Sequence, residues 1–172
     1  LQGVLAEYAH RAVVCPPLDI VVASSVPVGG GLSSSAALEL AMAHLIEAVT
    51  ETTWSPSERI RAAVSAERDG AGVPCGIMDQ FASAFGKKDR LVMIDCQSGK
   101  PTLVPFENPA LTVIVANTCV AHELSDGGYA SRRKATEDGL QIIGKSSWRQ
   151  VSMADVDAAK EQMGDVVYQR SR

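Results

Sequence analysis

The stretch Val26-Pro27-Val28-Gly29-Gly30-Gly31-Leu32-Ser33-Ser34-Ser35-Ala36-Ala37 constrains this chain more than any other feature. Leu18 to Val26, with Ile20-Val21-Val22 at its centre, reads as a strand. A helix is predicted from about Ser34 to Val49, with Leu38, Ala41, Met42, Leu45, Ile46 and Val49 on one face. The glycines therefore sit at a strand–loop–helix junction. Without Cβ atoms in the way, backbone N–H groups can approach a ligand there. The unpaired N–H groups and positive dipole end of the following helix point at the same place, which is the physics of a phosphate cradle. The serine hydroxyls add donors, or place an oxygen on a Mg²⁺ ion. A Walker A loop is excluded because no lysine closes the segment. A dinucleotide fingerprint is excluded because Ser34 stands where its third glycine belongs. The same residues also suit a flexible turn with a serine cap, and spacing alone leaves both readings open.

Ser55-Pro56-Ser57-Glu58 is a helix start with a capping box, and that helix is expected to reach about Arg68. Ile60, Ala63 and Val64 mark its apolar face, and Glu67, seven residues beyond Ile60, falls on that same face. A buried carboxylate needs a partner, and Mg²⁺ would serve, since it takes one or two carboxylates plus phosphate oxygens. From the residues alone, the favoured expectation is that Glu67 swings out to solvent at the helix end. A glycine-rich link from Gly70 to Gly76 leads to a short helix near Asp79 to Phe85, closed by Gly86. Asp79 suits a helix N-cap, and equally a general base beside an alcohol hydroxyl in phosphoryl transfer. Cys75 reads as a small packed residue, with no histidine placed to activate it.

Elsewhere, Leu1, Val4, Leu5, Tyr8, Ala9, Ala12 and Val13 repeat at helical spacing with no cap before them, and Pro16-Pro17 ends the pattern. Strands are expected at Leu91–Cys96 and Leu111–Asn117, with a weaker one at Leu103–Phe106. Helices are expected at Tyr129–Ile143 and Val156–Arg172. Helices and strands interleave without regular β-α-β alternation, so the fold class is α+β. The uncapped ends suggest a piece cut from a longer chain.

With 16 basic and 20 acidic residues, the net charge is −4, which argues against nucleic-acid binding. No apolar run approaches the ~18 residues of a membrane helix. The four cysteines and three histidines are scattered, so neither a zinc site nor a disulfide framework is expected, and a cytoplasmic setting fits. The basic run Arg132-Arg133-Lys134 has acidic residues four positions on, Glu137 and Asp138, so a solvated helix face accounts for it. No feature indicates an obligate protein partner.

The glycine–serine loop resembles the second motif of the GHMP small-molecule kinases, and specifically the galactokinases. Gly72-Val73-Pro74-Cys75-Gly76-Ile77-Met78-Asp79-Gln80 is similar to the galactokinase segment that carries the catalytic aspartate. Ile94-Asp95-Cys96, Asn117-Thr118 with Val120 to Leu124, and Gly128-Tyr129 with Arg132-Arg133 continue the likeness in order and spacing. The resemblance implies that Gly29, Gly30, Gly31, Leu32, Ser33, Ser34 and Ser35 hold the phosphates of ATP. It further implies that Ser35 and Glu67 bind Mg²⁺, that Asp79 accepts the proton of the sugar's anomeric hydroxyl, and that the Gly76 backbone and the Tyr129 hydroxyl contact galactose. The implied reaction turns ATP and galactose into ADP and galactose 1-phosphate.

The implied architecture is a ribosomal-protein-S5-like N-terminal domain over residues 1–108, then the start of a ferredoxin-like domain over 109–172. Alternatives are a kinase for another sugar, such as N-acetylgalactosamine or L-arabinose, and a non-catalytic sugar and ATP sensor. Two departures stand out. Galactokinases usually carry Asn and an aromatic residue where this chain has Arg68-Asp69-Gly70-Ala71. The family's first motif, with Gly-Arg-Val-Asn and Gly-Glu-His, and its glycine-rich third motif are both absent, so the segment alone is expected to be inactive or nearly so.

Overall fold

The computed structural model describes residues 1–116 and 128–172. The chain divides into two compact units, Leu1–Glu123 and Leu124–Arg172.

In the first unit, α1 (Gln2–Ala9), α2 (Ser34–Thr50) and α3 (Pro56–Ser65) pack around one apolar cluster. Val4 and Tyr8 of α1 are fully buried against Met42, Ala43 and Ile46 of α2 and Ala62 of α3. The Tyr8 ring stacks on Trp54 at 3.7 Å between centroids. Its hydroxyl donates to Glu47 Oε1 at 2.7 Å, and Arg59 grips the same carboxylate through Nε at 2.7 Å and Nη2 at 2.9 Å. This network accounts for a second acidic residue inside the apolar run of α2.

The capping box of α3 forms as expected: the Glu58 N–H donates to Ser55 Oγ and the Ser55 N–H to Glu58 Oε2. The α-helix does not reach Arg68, however. After Ser65 it widens into a π-turn over Ala66–Gly70, with the Ala71 N–H donating to the Ala66 carbonyl at 3.1 Å. Here α1 passes very close: a Cβ placed on Gly3 would lie 2.9 Å from Ala66 Cα. π-Turns of this kind concentrate at functional sites, because they re-aim the side chains that follow.

A second cluster, Ile60, Val64 and Phe81, joins α3 to α4 (Met78–Phe85) and to one face of a hairpin. The hairpin pairs β1 (Arg90–Asp95) with β2 (Lys100–Pro105), antiparallel, from Arg90 opposite Pro105 to Asp95 opposite Lys100. The weak strand at Leu103–Phe106 is thus a full partner that starts earlier. The second unit holds α5 (Gly128–Ile143), α6 (Met153–Ala158) and α7 (Lys160–Ser171), with Ala135, Val156 and Met163 among its buried residues. On α5, Arg133 pairs with Glu137 and Lys134 with Asp138, each at 2.8 Å, as the charge spacing predicts.

Four expectations need correction. Leu18–Val26 is not in a ladder, and Val21 stands 97% exposed. Residues 111–116 likewise form no strand, with Ile114 85% exposed. Both segments have the continuous apolar pattern of a strand covered on both faces, but a strand persists only where neighbours take up its backbone groups, and none of the described residues does so. The first helix ends at Ala9, and the chain reverses at Ala12 (φ +61°) instead of continuing to Val13. The C-terminal helical stretch is broken between α6 and α7, and again at Gly164, whose φ of +67° and ψ of 170° no helix accommodates.

Candidate active site

The glycine loop delivers the backbone geometry that its composition implies. Gly29 and Gly31 have φ of +70° and +71°, and Ser33 follows at +57°. A Cβ on either glycine would meet nothing within 4 Å, so the sign of φ, not lack of space, demands glycine there. Left-handed residues alternating with ordinary ones create the concave run of N–H groups that receives anions. Ser33 is the residue before α2, yet its side chain makes no capping hydrogen bond, and no acidic residue occupies the first turn of the helix. The serine-capped turn is therefore not what this segment forms, and the helix terminus keeps its positive end uncompensated.

Ser35, on that first turn, points back into the unit and donates to Glu67 Oε1 at 2.9 Å. Glu67 is only 5% exposed, which overturns the expectation that it swings out to solvent. The π-turn holds it inside, where its other oxygen accepts from Gln80 Nε2 at 2.6 Å. Gln80 is fully buried on α4, and the same nitrogen reaches Glu39 Oε2 of α2 at 3.3 Å. Burial first, and then the Glu67 carboxylate, pushes the Glu39 carboxyl up to about 7. Sequence reasoning missed both Glu39 and Gln80. The available signal was the four-residue spacing of Ser35 and Glu39, which places an acid beside the serine on one helix face.

Asp79 directly precedes Gln80, so the glutamine that meets Glu67 lies next to it in α4. Its assignment as an N-cap is wrong: the cap position is Ile77, and Asp79 is the second residue inside the helix. Half-buried, its carboxylate has no hydrogen-bond partner among the described residues. Cys75 is a packed thiol, pushed up to about 11 by burial and by the Glu67 carboxylate. Its carbonyl accepts from Arg68 Nε at 3.0 Å and Nη2 at 2.7 Å. Tyr129 lies on α5 in the second unit and is 46% exposed. The resembling stretch Asn117–Leu124 lies outside the described residues. A cavity of about 770 Å³ lined by Ile60, Val64, Arg68, Phe81 and Cys96 includes none of Ser35, Glu67 or Asp79.

The donor set at Ser35 and Glu67 fits Mg²⁺. One hydroxyl and one carboxylate oxygen are hard ligands already at contact distance, beside a loop suited to phosphates. Among the described residues no group of three His, Cys, Asp or Glu side chains forms a cage, so an ion held here would draw its remaining ligands from phosphate and water.

The fold and this constellation define a domain in which a glycine-rich, anion-suited loop is backed by a buried hydroxyl–carboxylate pair. The family model for the GHMP kinase N-terminal domain matches residues 1–87, and the chain belongs to that family. Within it, the chain is 38% identical over all 172 residues to the galactokinase of Homo sapiens. It is 39% identical over 157 residues, 91% of its length, to that of Thermotoga petrophila. It shares the fold of Lactococcus lactis galactokinase, solved in complex with galactose, at a TM-score of 0.79 and 24% identity over 99% of this chain. The chain spans 43% of the human relative, 45% of the Thermotoga one and 45% of the Lactococcus chain.

Proposed function

We propose that this chain carries the phosphate-binding and proton-accepting part of a galactokinase, which transfers the γ-phosphoryl group of ATP to the anomeric hydroxyl of galactose. The observation that carries the reading is the buried bridge from Ser35 through Glu67 to Gln80, which ties the glycine loop to the helix bearing Asp79. The galactokinase relatives that match along the whole chain support it.

In this reading Gly29 through Ser35 bind and orient the phosphates, with α2 aimed at them. Ser35 and Glu67 hold Mg²⁺, which when bound neutralises charge on the transferring phosphoryl group. Asp79, which has no hydrogen-bond partner among the described residues, takes the proton of the attacking hydroxyl. The Gly76 N–H and the Tyr129 hydroxyl contact the sugar. Residues 1–108 belong to the N-terminal domain and 109–172 begin the second.

The test is ADP release by the full-length protein with and without galactose. Sugar-dependent ADP that disappears in Asp79→Asn, with ATP binding retained, is the expected result. Sugar binding without ADP would identify a sensor in place of a kinase. Preference for N-acetylgalactosamine or L-arabinose would move the substrate assignment.

A further inference from the structure

Arg68 belongs to the segment where this chain departs from the galactokinase pattern, and the structure gives it a definite task. Both Nε and Nη2 donate to a single acceptor, the Cys75 carbonyl, at 3.0 and 2.7 Å. That carbonyl shares one peptide plane with the Gly76 N–H. No cis peptide bond occurs among the described residues, so the plane is trans and the N–H points directly away from the carbonyl. Fixing the oxygen therefore fixes the direction of the N–H. The Gly76 N–H itself has no acceptor among the described residues. A guanidinium on the carbonyl also polarises the peptide, which strengthens the opposite N–H as a donor.

The anchor is itself packed in place. Arg68 lies on the π-turn, against which α1 packs at Gly3, and the Ser65 hydroxyl lies 2.8 Å from both Asp69 Oδ2 and Glu7 Oε1, with one proton to donate to either. The oriented donor sits three residues before Asp79, at the entry to α4.

We propose that Arg68 is a positioning residue for sugar recognition: it holds and polarises the Cys75–Gly76 peptide so that the Gly76 N–H is a preorganised donor to a sugar hydroxyl oxygen. This rests on the galactokinase reading above. Arg68 does not touch substrate; it acts through the peptide it grips.

The test compares wild type, Arg68→Met and Arg68→Lys in the full-length protein. Arg68→Met should raise the galactose KM about tenfold, the scale of one lost polar contact. Turnover at saturating galactose and the ATP KM should stay within about twofold. Arg68→Lys, which keeps charge and one donor, should recover part of the loss. Across singly deoxygenated galactoses, the wild type should penalise one analogue, and Arg68→Met should lose that discrimination. The Gly76 amide proton resonance should move upfield in Arg68→Met, a readout independent of turnover. An unchanged galactose KM in Arg68→Met beside an active wild type would overturn the inference while leaving the kinase reading intact. So would a parallel loss in turnover, ATP KM and galactose KM, which marks a merely structural role. A wild type without sugar-dependent ADP would overturn the kinase reading itself.

Discussion

The Ser35 hydroxyl donates to Glu67 Oε1 across 2.9 Å, joining the first turn of α2 to the π-turn 32 residues later. Two candidate oxygen ligands held together before any ion arrives would cost less to organise if one binds. Glu67→Gln keeps the shape and removes the charge, so the Mg²⁺ requirement for ADP formation should rise at least tenfold. Ser35→Ala should raise it less. A Mg²⁺ titration of turnover, with Mn²⁺ binding followed by EPR, checks both. An unchanged metal requirement in Glu67→Gln would remove this carboxylate from the ion's shell.

Gly3 shows how the π-turn is held in place. In an ordinary helix interior, Gly→Ala stabilises by about 1 kcal/mol. Here the new Cβ would lie 2.9 Å from the Cα and Cβ atoms of Ala66, and backbone cannot rotate aside as a side chain can. Overpacking of this kind costs about 1–3 kcal/mol. Gly3→Ala should therefore destabilise, and the sign is the check, read by urea unfolding. A more stable Gly3→Ala protein would mean that α1 and the π-turn separate freely.

The loop, the capping box of α3 and the hairpin strand at Arg90–Asp95 were legible because each depends on local chemistry: glycine φ, serine–glutamate reciprocity, and β-branched or aliphatic runs. Leu18–Val26 and residues 111–116 were misread because an apolar run reports burial in a sheet without saying which residues supply the neighbours. The burial of Glu67 was hidden for a related reason. Helical spacing put it on the right face, but whether it turned inward depended on a π-turn that no spacing reports and against which Gly3, 64 positions earlier, packs. Gln80 carried no signal of its own and Glu39 only its spacing from Ser35, because buried amides and acids are recognised by their partners, and those partners lie on three different elements.

The Glu47 carboxylate makes stability depend on pH. Burial alone would raise it, but hydrogen bonds from Arg59 and Tyr8 outweigh burial and hold it below the ordinary carboxylate value. The folded state then binds fewer protons than the unfolded chain in the acid range. Its contribution is complete above the unfolded value of about 4.3 and is lost as pH falls through the lowered folded value. Glu47→Gln should flatten that acid limb. At pH 7 it should cost about 3 kcal/mol, because Arg59, 17% exposed, loses its charged partner. Unfolding free energies from pH 7 down to pH 3 provide the comparison, and an identical acid limb in Glu47→Gln would assign the pH dependence elsewhere.

Gln80 is the point where the candidate metal carboxylate, Glu67, and the helix of the candidate base meet. Its Nε2 serves Glu67 and Glu39 together, while its Oε1 is buried with no partner among the described residues. Gln80→Leu fills nearly the same space, removes that orphaned oxygen and takes the donor from two buried acids. The first effect stabilises and the second costs more, since a buried carboxylate left short of a donor loses about 1–3 kcal/mol. The net change should be destabilising by about 1–2 kcal/mol. A double-mutant cycle with Glu67→Gln isolates the contact, because residues that share a buried hydrogen bond are not additive. The coupling should be about 1 kcal/mol, measured by denaturant unfolding. Strict additivity would mean that Gln80 packs beside Glu67 without holding it, and the π-turn and the Ser35 hydroxyl would then be what supports that carboxylate.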